Sequence, residues 1–378
     1  MLATAAALLL AACAPFNHTG PDSPVARSAL LPLEPRPRVA LVLGSGGPRG
    51  YAHIGVMRVL EEAGIEVDLV VGTSVGSLLG AFWADGRSAK EIDRLSREGG
   101  PLTLFDPTPF ADRGWIRGQR LQDYVDSRLQ HRRIEQMPRR LVVGATRRGD
   151  KAPVFFTSGH AGVAVRASSA VPGILSPVGI EGVEYEDGDE SLPLAVRAAR
   201  QAGARFVIAV DVTPRPDSAP PGTPETQLER VARRAARIEP EAAQADHLIN
   251  AGLAFGASPL PSYFRYARAQ GERAARAQLP ELLAQLERAG LRPAPAPTPT
   301  PAAQRACAGR YISTMSYCSG FMPASALSEI GLPMNSLRPA RCTLSSSSSI
   351  STTAALAMTR NSFGLNCRAS RRISRRMS

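Results

Sequence analysis

Asp68-Leu-Val-Val-Gly-Thr-Ser-Val-Gly-Ser-Leu-Leu-Gly-Ala-Phe-Trp-Ala-Asp-Gly86 passes from an apolar run into a glycine-flanked serine and then into apolar residues at helical spacing. The pattern predicts a strand, a sharp turn and a helix. Gly72 and Gly76 stand two residues either side of Ser74, where any Cβ would collide with the adjoining strand or helix. The turn pushes the Ser74 hydroxyl outward, just before the helix amino end. Free N–H groups and the positive end of the helix dipole stabilise developing negative charge there, which suits a nucleophile. On these residues alone, a glycine-lined turn with Ser74 as a plain N-cap fits equally well, so the rest of the chain has to decide.

Upstream, Arg38-Val-Ala-Leu-Val-Leu-Gly44 has the pattern of a buried strand. Ser45-Gly46-Gly47-Pro48-Arg49-Gly50 and a helix reaching Glu62 follow it. A dinucleotide fingerprint counted from Gly44 needs glycine at 49 and meets Arg49, which removes most of that reading. Consecutive glycines still let backbone N–H groups converge on one point, where an anion or oxyanion could sit. Two successive strand, glycine turn and helix units imply parallel strands joined by right-handed crossovers. Both turns then lie on one sheet edge, with the Gly46-Gly47 donors facing the Ser74 hydroxyl.

The net charge of +12 raises a nucleic-acid reading. From Pro301 onward ten arginines face the single acid Glu329, which is +9 of that +12, so the remaining chain is close to neutral and a nucleic-acid partner is not expected. Residues 38–292 contain no cysteine and the chain has no C-x-x-C spacing, so no structural zinc site is expected. None of His18, His53, His131, His160 and His247 has a triad-like setting in sequence.

Residues 1–13 form a short apolar run ending Leu10-Ala11-Ala12-Cys13, too short to span a bilayer. Small residues before a cysteine resemble a bacterial lipoprotein signal with Cys13 as the lipidated residue. That implies a lipid anchor in the cell envelope, on the periplasmic side of the outer membrane. The alternatives are an apolar leader with an incidental cysteine and a cytoplasmic protein. Residues 14–37, rich in Pro and Ser, are expected to be a tether, and the folded domain is expected over 38–292. Within it, Leu102 to Gly118 reads as an irregular loop, either a lid or lipid-facing surface or a loop packed on its own core. Glu225–Asn250 and Tyr263–Ala289 read as long helices with mostly solvated charges. Residues 293–378, Pro-rich and then Ser/Arg-rich, are expected to be disordered.

Further motifs lie between these. Arg166-Ala-Ser-Ser-Ala-Val-Pro-Gly173 closes a helix, and Asp187-Gly188 follows a short strand. As a fragment, Asp187-Gly188 reads first as an ordinary turn.

Taken together and in order, the Gly46–Val56 loop, Gly72-Thr73-Ser74-Val75-Gly76, Arg166–Gly173 and Asp187-Gly188 with Pro193 resemble the patatin-like phospholipase family over residues 38–213. The resemblance implies a three-layer α/β/α domain with a mostly parallel central sheet, a Ser-Asp dyad, lipid or phospholipid acyl esters as substrates at a membrane surface, and no cofactor or metal. Carried over by position, Ser74 is the nucleophile and Asp187 takes its proton. Gly46, Gly47 and Gly50 form the oxyanion loop, and Arg49 shapes that loop or meets an anionic headgroup. Asp189 and Leu192 depart from the pattern. A second carboxylate beside Asp187 raises the pKa of the pair, so the alternative is a membrane-tethered binding or regulatory protein that keeps the fold with weakened turnover. Oligomeric state is not legible.

Overall fold

Val39, Leu41 and Leu43 of strand β3 (Val39–Leu43) pack in one hydrophobic cluster, and Ala40 and Val42 pack in another on the opposite face. A strand buried on both sides belongs in the middle of a sheet covered by helices. In the computed structural model, which describes residues 17–98, 104–108, 113–214 and 216–291, β3 lies between β4 (Leu69–Thr73) and β9 (Phe206–Asp211), parallel to both. β5 (Arg140–Arg147) extends the parallel core beyond β4 and β10 (His247–Asn250) extends it beyond β9. The full order is β1 (Asn17–His18), β7 (Val178–Ile180), β8 (Val183–Glu186), β5, β4, β3, β9, β10, with β6 (Pro153–Phe156) also paired to β5 and β2 (Ala26–Arg27) paired to β6. β7 and β8 form an antiparallel pair, and β8 runs antiparallel to β5.

Helices cover both faces. α1 (Tyr51–Glu62), α2 (Val75–Ala84), α3 (Ala89–Glu98), α4 (Gln119–Leu129), α5 (Ala161–Ser168) and α8 (Pro261–Arg288) contribute to the cluster beneath one face. α6 (Val196–Gln201) and α7 (Glu225–Ala242) cover the other. This is the three-layer α/β/α arrangement with a mostly parallel sheet. Among the described residues no helix is long and apolar enough to cross a membrane.

Two expectations need correction. The segment read as a tether is partly folded onto the domain: β1 (Asn17–His18) pairs with β7, β2 with β6, and the Leu33 N–H donates to the Ala202 carbonyl at 3.0 Å. Edge pairing uses backbone groups alone and leaves no hydrophobic period to read. The helix expected to reach Asn250 ends at Ala242, and His247–Asn250 instead forms edge strand β10. The Cys13 segment, residues 14–16, parts of the loop (102–103 and 109–112) and the tail 293–378 lie outside the described residues.

The register places the site. Leu43 pairs with Gly72, and Thr73 with Gly144, so the glycine loop after β3 and Ser74 after β4 leave the sheet at the same edge. Because β8 is antiparallel, with Thr146 opposite Glu186, its last residue delivers Asp187 to that edge too.

Candidate active site

Ser74 stands between β4 and α2 with φ 54° and ψ −125°, a conformation that costs a side-chain-bearing residue about 1–3 kcal/mol. Neighbouring groups hold it there. Its N–H donates to the Ser168 hydroxyl at 2.8 Å, and that hydroxyl donates to the Gly144 carbonyl at 2.6 Å. A Cβ on Gly72 would lie 2.5 Å from the Gly76 carbonyl oxygen, and one on Gly76 would lie 2.2 Å from that of Leu43. The two glycines therefore admit the helix start against β4 and β3.

The Ser74 hydroxyl donates to Asp187 Oδ2 at 2.7 Å. Asp187 is 2 % exposed, its other oxygen accepts the Asp189 N–H at 2.8 Å, and its own N–H donates to the Ala170 carbonyl at 3.0 Å. Gly188 is a glycine because a Cβ there would meet Thr73 Cγ2 at 2.5 Å and the Gly144 carbonyl oxygen at 2.7 Å. Burial pushes the Asp187 carboxyl up to about 7; the Asp189 and Glu190 charges add to the rise, while the Asp189 N–H and the Ser74 hydroxyl oppose it.

Asp189 is itself paired. Its carboxylate is bound by Arg234 at 2.8 Å and by the Ser45 hydroxyl, while Arg234 also donates to the Ser45 carbonyl at 2.7 Å and to Thr213. Leu192 sits in the core beneath α6. The departures at 189 and 192 thus leave the Ser74–Asp187 contact made.

Gly46 and Gly47 border the same cleft as Ser74 and Asp187. A Cβ on Gly46 would lie 2.6 Å from Val212 Cγ2, and Gly47 has φ 53°. Neither N–H donates to a backbone carbonyl among the described residues. His53, wholly buried and pushed down to about 4 by that burial, contacts the Gly44 carbonyl through Nε2 at 2.8 Å, which steadies the start of this loop. Arg49 lines the cleft and donates to the Phe255 carbonyl at 2.5 Å. Gly50 does not border the cleft, and its missing Cβ makes room for Val75, whose Cγ1 would be 2.4 Å away.

Ser74 opens onto two spaces of different character. One, about 790 Å³, carries Arg49, Arg230, Arg233, Arg234 and Arg237 on walls that are polar and apolar in nearly equal part. The other, about 190 Å³, is walled by apolar and aromatic groups such as Leu78, Phe82, Leu104, Phe105 and Phe264. Ser168 and Arg234 were not singled out by sequence reasoning. Ser168 lay inside the quoted Arg166–Gly173 motif; Arg234 gave no signal beyond helical charge.

Among the described residues, metal-type ligands gather at Asp126, His131 and His160, with His160 Nδ1 3.3 Å from Asp126 Oδ1. None of the three borders either space beside Ser74.

Comparison with known proteins shows what this chain is similar to. Residues 41–194 match the family model described as patatin-like phospholipase. An uncharacterized NTE family protein of Mycobacterium tuberculosis is 36% identical over 182 residues, 47% of this chain and 49% of that protein. A lysophospholipase of Coccidioides immitis is 33% identical over 190 residues, 49% of this chain and 12% of that protein. The chain spans about half the length of the mycobacterial relative and far less of the fungal one. The crystal structure of VipD from Legionella pneumophila aligns with TM-score 0.41 and 13% identity, over 70% of this chain and 71% of that one.

Proposed function

We propose, from the premise that this chain carries a patatin-like phospholipase domain over residues 41–194, that it is a serine acyl hydrolase of lipid esters, of phospholipase A or lysophospholipase type. The observation that carries the reading is the 2.7 Å contact between the Ser74 hydroxyl and Asp187 at a point where an arginine-walled and an apolar space meet. Ser74 Oγ attacks the acyl carbonyl carbon and its proton passes to Asp187. The oxyanion is held by the N–H groups of Gly46 and Gly47 beside the amino end of α2. The ester C–O bond then breaks, the leaving alcohol takes the proton from Asp187, and water releases the fatty acid from the acyl-serine by the same steps. A carboxyl near neutrality can serve both as acceptor and as donor.

The apolar space suits the acyl chain. Trp115, 77 % exposed, and Ile174, 47 % exposed, are joined by a Trp115 N–H to Ile174 carbonyl bond of 2.9 Å, and Leu175 beside them lines the apolar wall. An exposed aromatic and aliphatic pair next to Leu175 of that wall supports a membrane surface as the working partner. A lipid anchor at Cys13 would hold the enzyme on the periplasmic side of the outer membrane, supported by the Leu10–Cys13 sequence. Cys13→Ser would then move the protein from the membrane to the soluble fraction.

Fluorophosphonate labelling and lysophospholipid hydrolysis by the full chain test the chemistry. Both are expected in the wild type and absent in folded Ser74→Ala and Asp187→Asn. Hydrolysis retained by pure Ser74→Ala would sink the assignment. A folded wild type that neither labels nor hydrolyses would return the alternative of a non-catalytic binding protein.

A further inference from the structure

Helix α7 was expected to present its charges to solvent, yet one of its faces walls the larger space. Arg230, Arg233, Arg234 and Arg237 recur at three- and four-residue steps, which puts them on one side of the helix, and all four border the cleft, as does Arg49. Five guanidiniums thus meet three carboxylates, Asp187, Asp189 and Glu190. One of those carboxylates already belongs to the Ser74 pair.

The five arginines are not equally committed. Arg234 is bound to Asp189, Ser45 and Thr213, and Arg237 donates to the Asp189 carbonyl at 3.2 Å and to that of Glu190. These two brace the loop that carries Asp187. Arg233 has an ion pair with Glu229 at 3.1 Å, both side chains more than half exposed, and such pairs hold little energy. Among the described residues Arg230 makes no hydrogen bond or ion pair. Arg49 spends one N–H on the Phe255 carbonyl, while its shielded Nε has no partner. Gathering like charges on one wall is unfavourable unless an anion joins them. A guanidinium fork matches phosphate oxygens in pairs, whereas the uncommitted guanidiniums repel a quaternary ammonium.

We propose that Arg49, Arg230 and Arg233 form a binding site for the phosphate of a net-anionic lipid headgroup, so that the protein selects anionic phospholipids over zwitterionic and neutral lipids. The site rests on the hydrolase reading for its position: with the acyl ester at Ser74 and the chain in the apolar space, the headgroup falls into the arginine-walled one.

The test uses the full chain and three lipids of equal acyl chain: lysophosphatidylglycerol, lysophosphatidylcholine and monoacylglycerol. Wild-type kcat/KM is expected to favour lysophosphatidylglycerol about tenfold or more over monoacylglycerol, which lacks the phosphate, and by a smaller factor over lysophosphatidylcholine, whose phosphate is matched but whose trimethylammonium is repelled by the arginine wall. In Arg230→Gln/Arg233→Gln that preference should collapse, mainly through KM and with unchanged thermal unfolding, and Arg230→Lys/Arg233→Lys should restore part of it. Equal rates on the three lipids, or an equal loss on all three in the double variant, would overturn the site while leaving the hydrolase standing. Calorimetric binding to Ser74→Ala separates the two claims from the other side. Lysophosphatidylglycerol binding that depends on Arg230 and Arg233, in a protein whose wild type hydrolyses nothing, would keep the site and remove the hydrolase. Inorganic phosphate binding as tightly as the lipid would overturn the headgroup assignment in favour of a free-phosphate site.

Discussion

Asp187 is where the fold gives up stability for chemistry. Its carboxyl is buried between the Ser74 hydroxyl and the Asp189 N–H, and that burial raises it to about 7. An unfolded chain would leave it in the ordinary carboxylate range, so between that range and neutrality the native protein holds a proton that the unfolded one has lost. Stability therefore falls as pH rises through this window. Asp187→Asn removes the charge and keeps the contacts, since an amide oxygen can accept the Asp189 N–H and the amide NH2 can donate to Ser74. The variant should be inactive, equal to wild type in thermal unfolding near pH 4, and more stable above pH 7 by a few kcal/mol. A melting-point gap that does not grow with pH would show that burial of Asp187 is not costly. Activity of the wild type should rise with pH through about 7 as Asp187 loses its proton. In Asp189→Asn, which removes a charge that raises Asp187, the rise should move to lower pH. An unmoved or upward-shifted limb would contradict the assignment of Asp187 as the proton acceptor.

At the scale of elements, the turn from β4 into α2 depends on hydrogen atoms at Gly72 and Gly76. Gly76→Ala places a methyl 2.2 Å from the Leu43 carbonyl oxygen, backbone that cannot rotate away, so α2 must shift off β3. Overpacking of this kind costs about 1–3 kcal/mol or more, and urea unfolding should show at least that loss together with lost fluorophosphonate labelling. Wild-type stability in Gly76→Ala would mean that the turn is looser than its contacts state. This turn was legible because its constraint is local: glycine, serine and glycine at fixed offsets between a strand pattern and a helix pattern. Asp187 was legible only through the company of the other motifs, since an Asp-Gly pair alone also makes an ordinary turn. Ser168 and Arg234 reach Ser74 and Asp189 across 94 and 45 residues, and nothing at either position in sequence announces the partner. Strand β10 was absorbed into a helix because four residues directly after a charged helix offer too short an alternation to break the helical reading.

For the molecule as a whole, residues 17–37 matter more than their composition suggests. They cap both short ends of the sheet beyond β5, with β1 on β7 and β2 on β6. The Asp22 carbonyl accepts the His160 N–H at 2.9 Å, just before α5, and Gly159 packs so closely on Pro24 that a Cβ there would lie 2.6 Å from its Cα. α5 ends in Ser168, which holds the Ser74 N–H, so the segment is joined to the nucleophile through one helix. A chain beginning at Arg38 loses these backbone bonds, each with a net contribution of about 1 kcal/mol, and leaves β6 and β7 as open edges that invite association. It should melt several degrees below a chain beginning at Asn17 and form higher oligomers at lower concentration. Its fluorophosphonate labelling should slow even below the melting temperature, because the support behind Ser168 is weakened. Equal melting, oligomer content and labelling in the two chains would mean that the segment is the plain tether its Pro- and Ser-rich composition suggests, and that α5 needs no help from it to position Ser74.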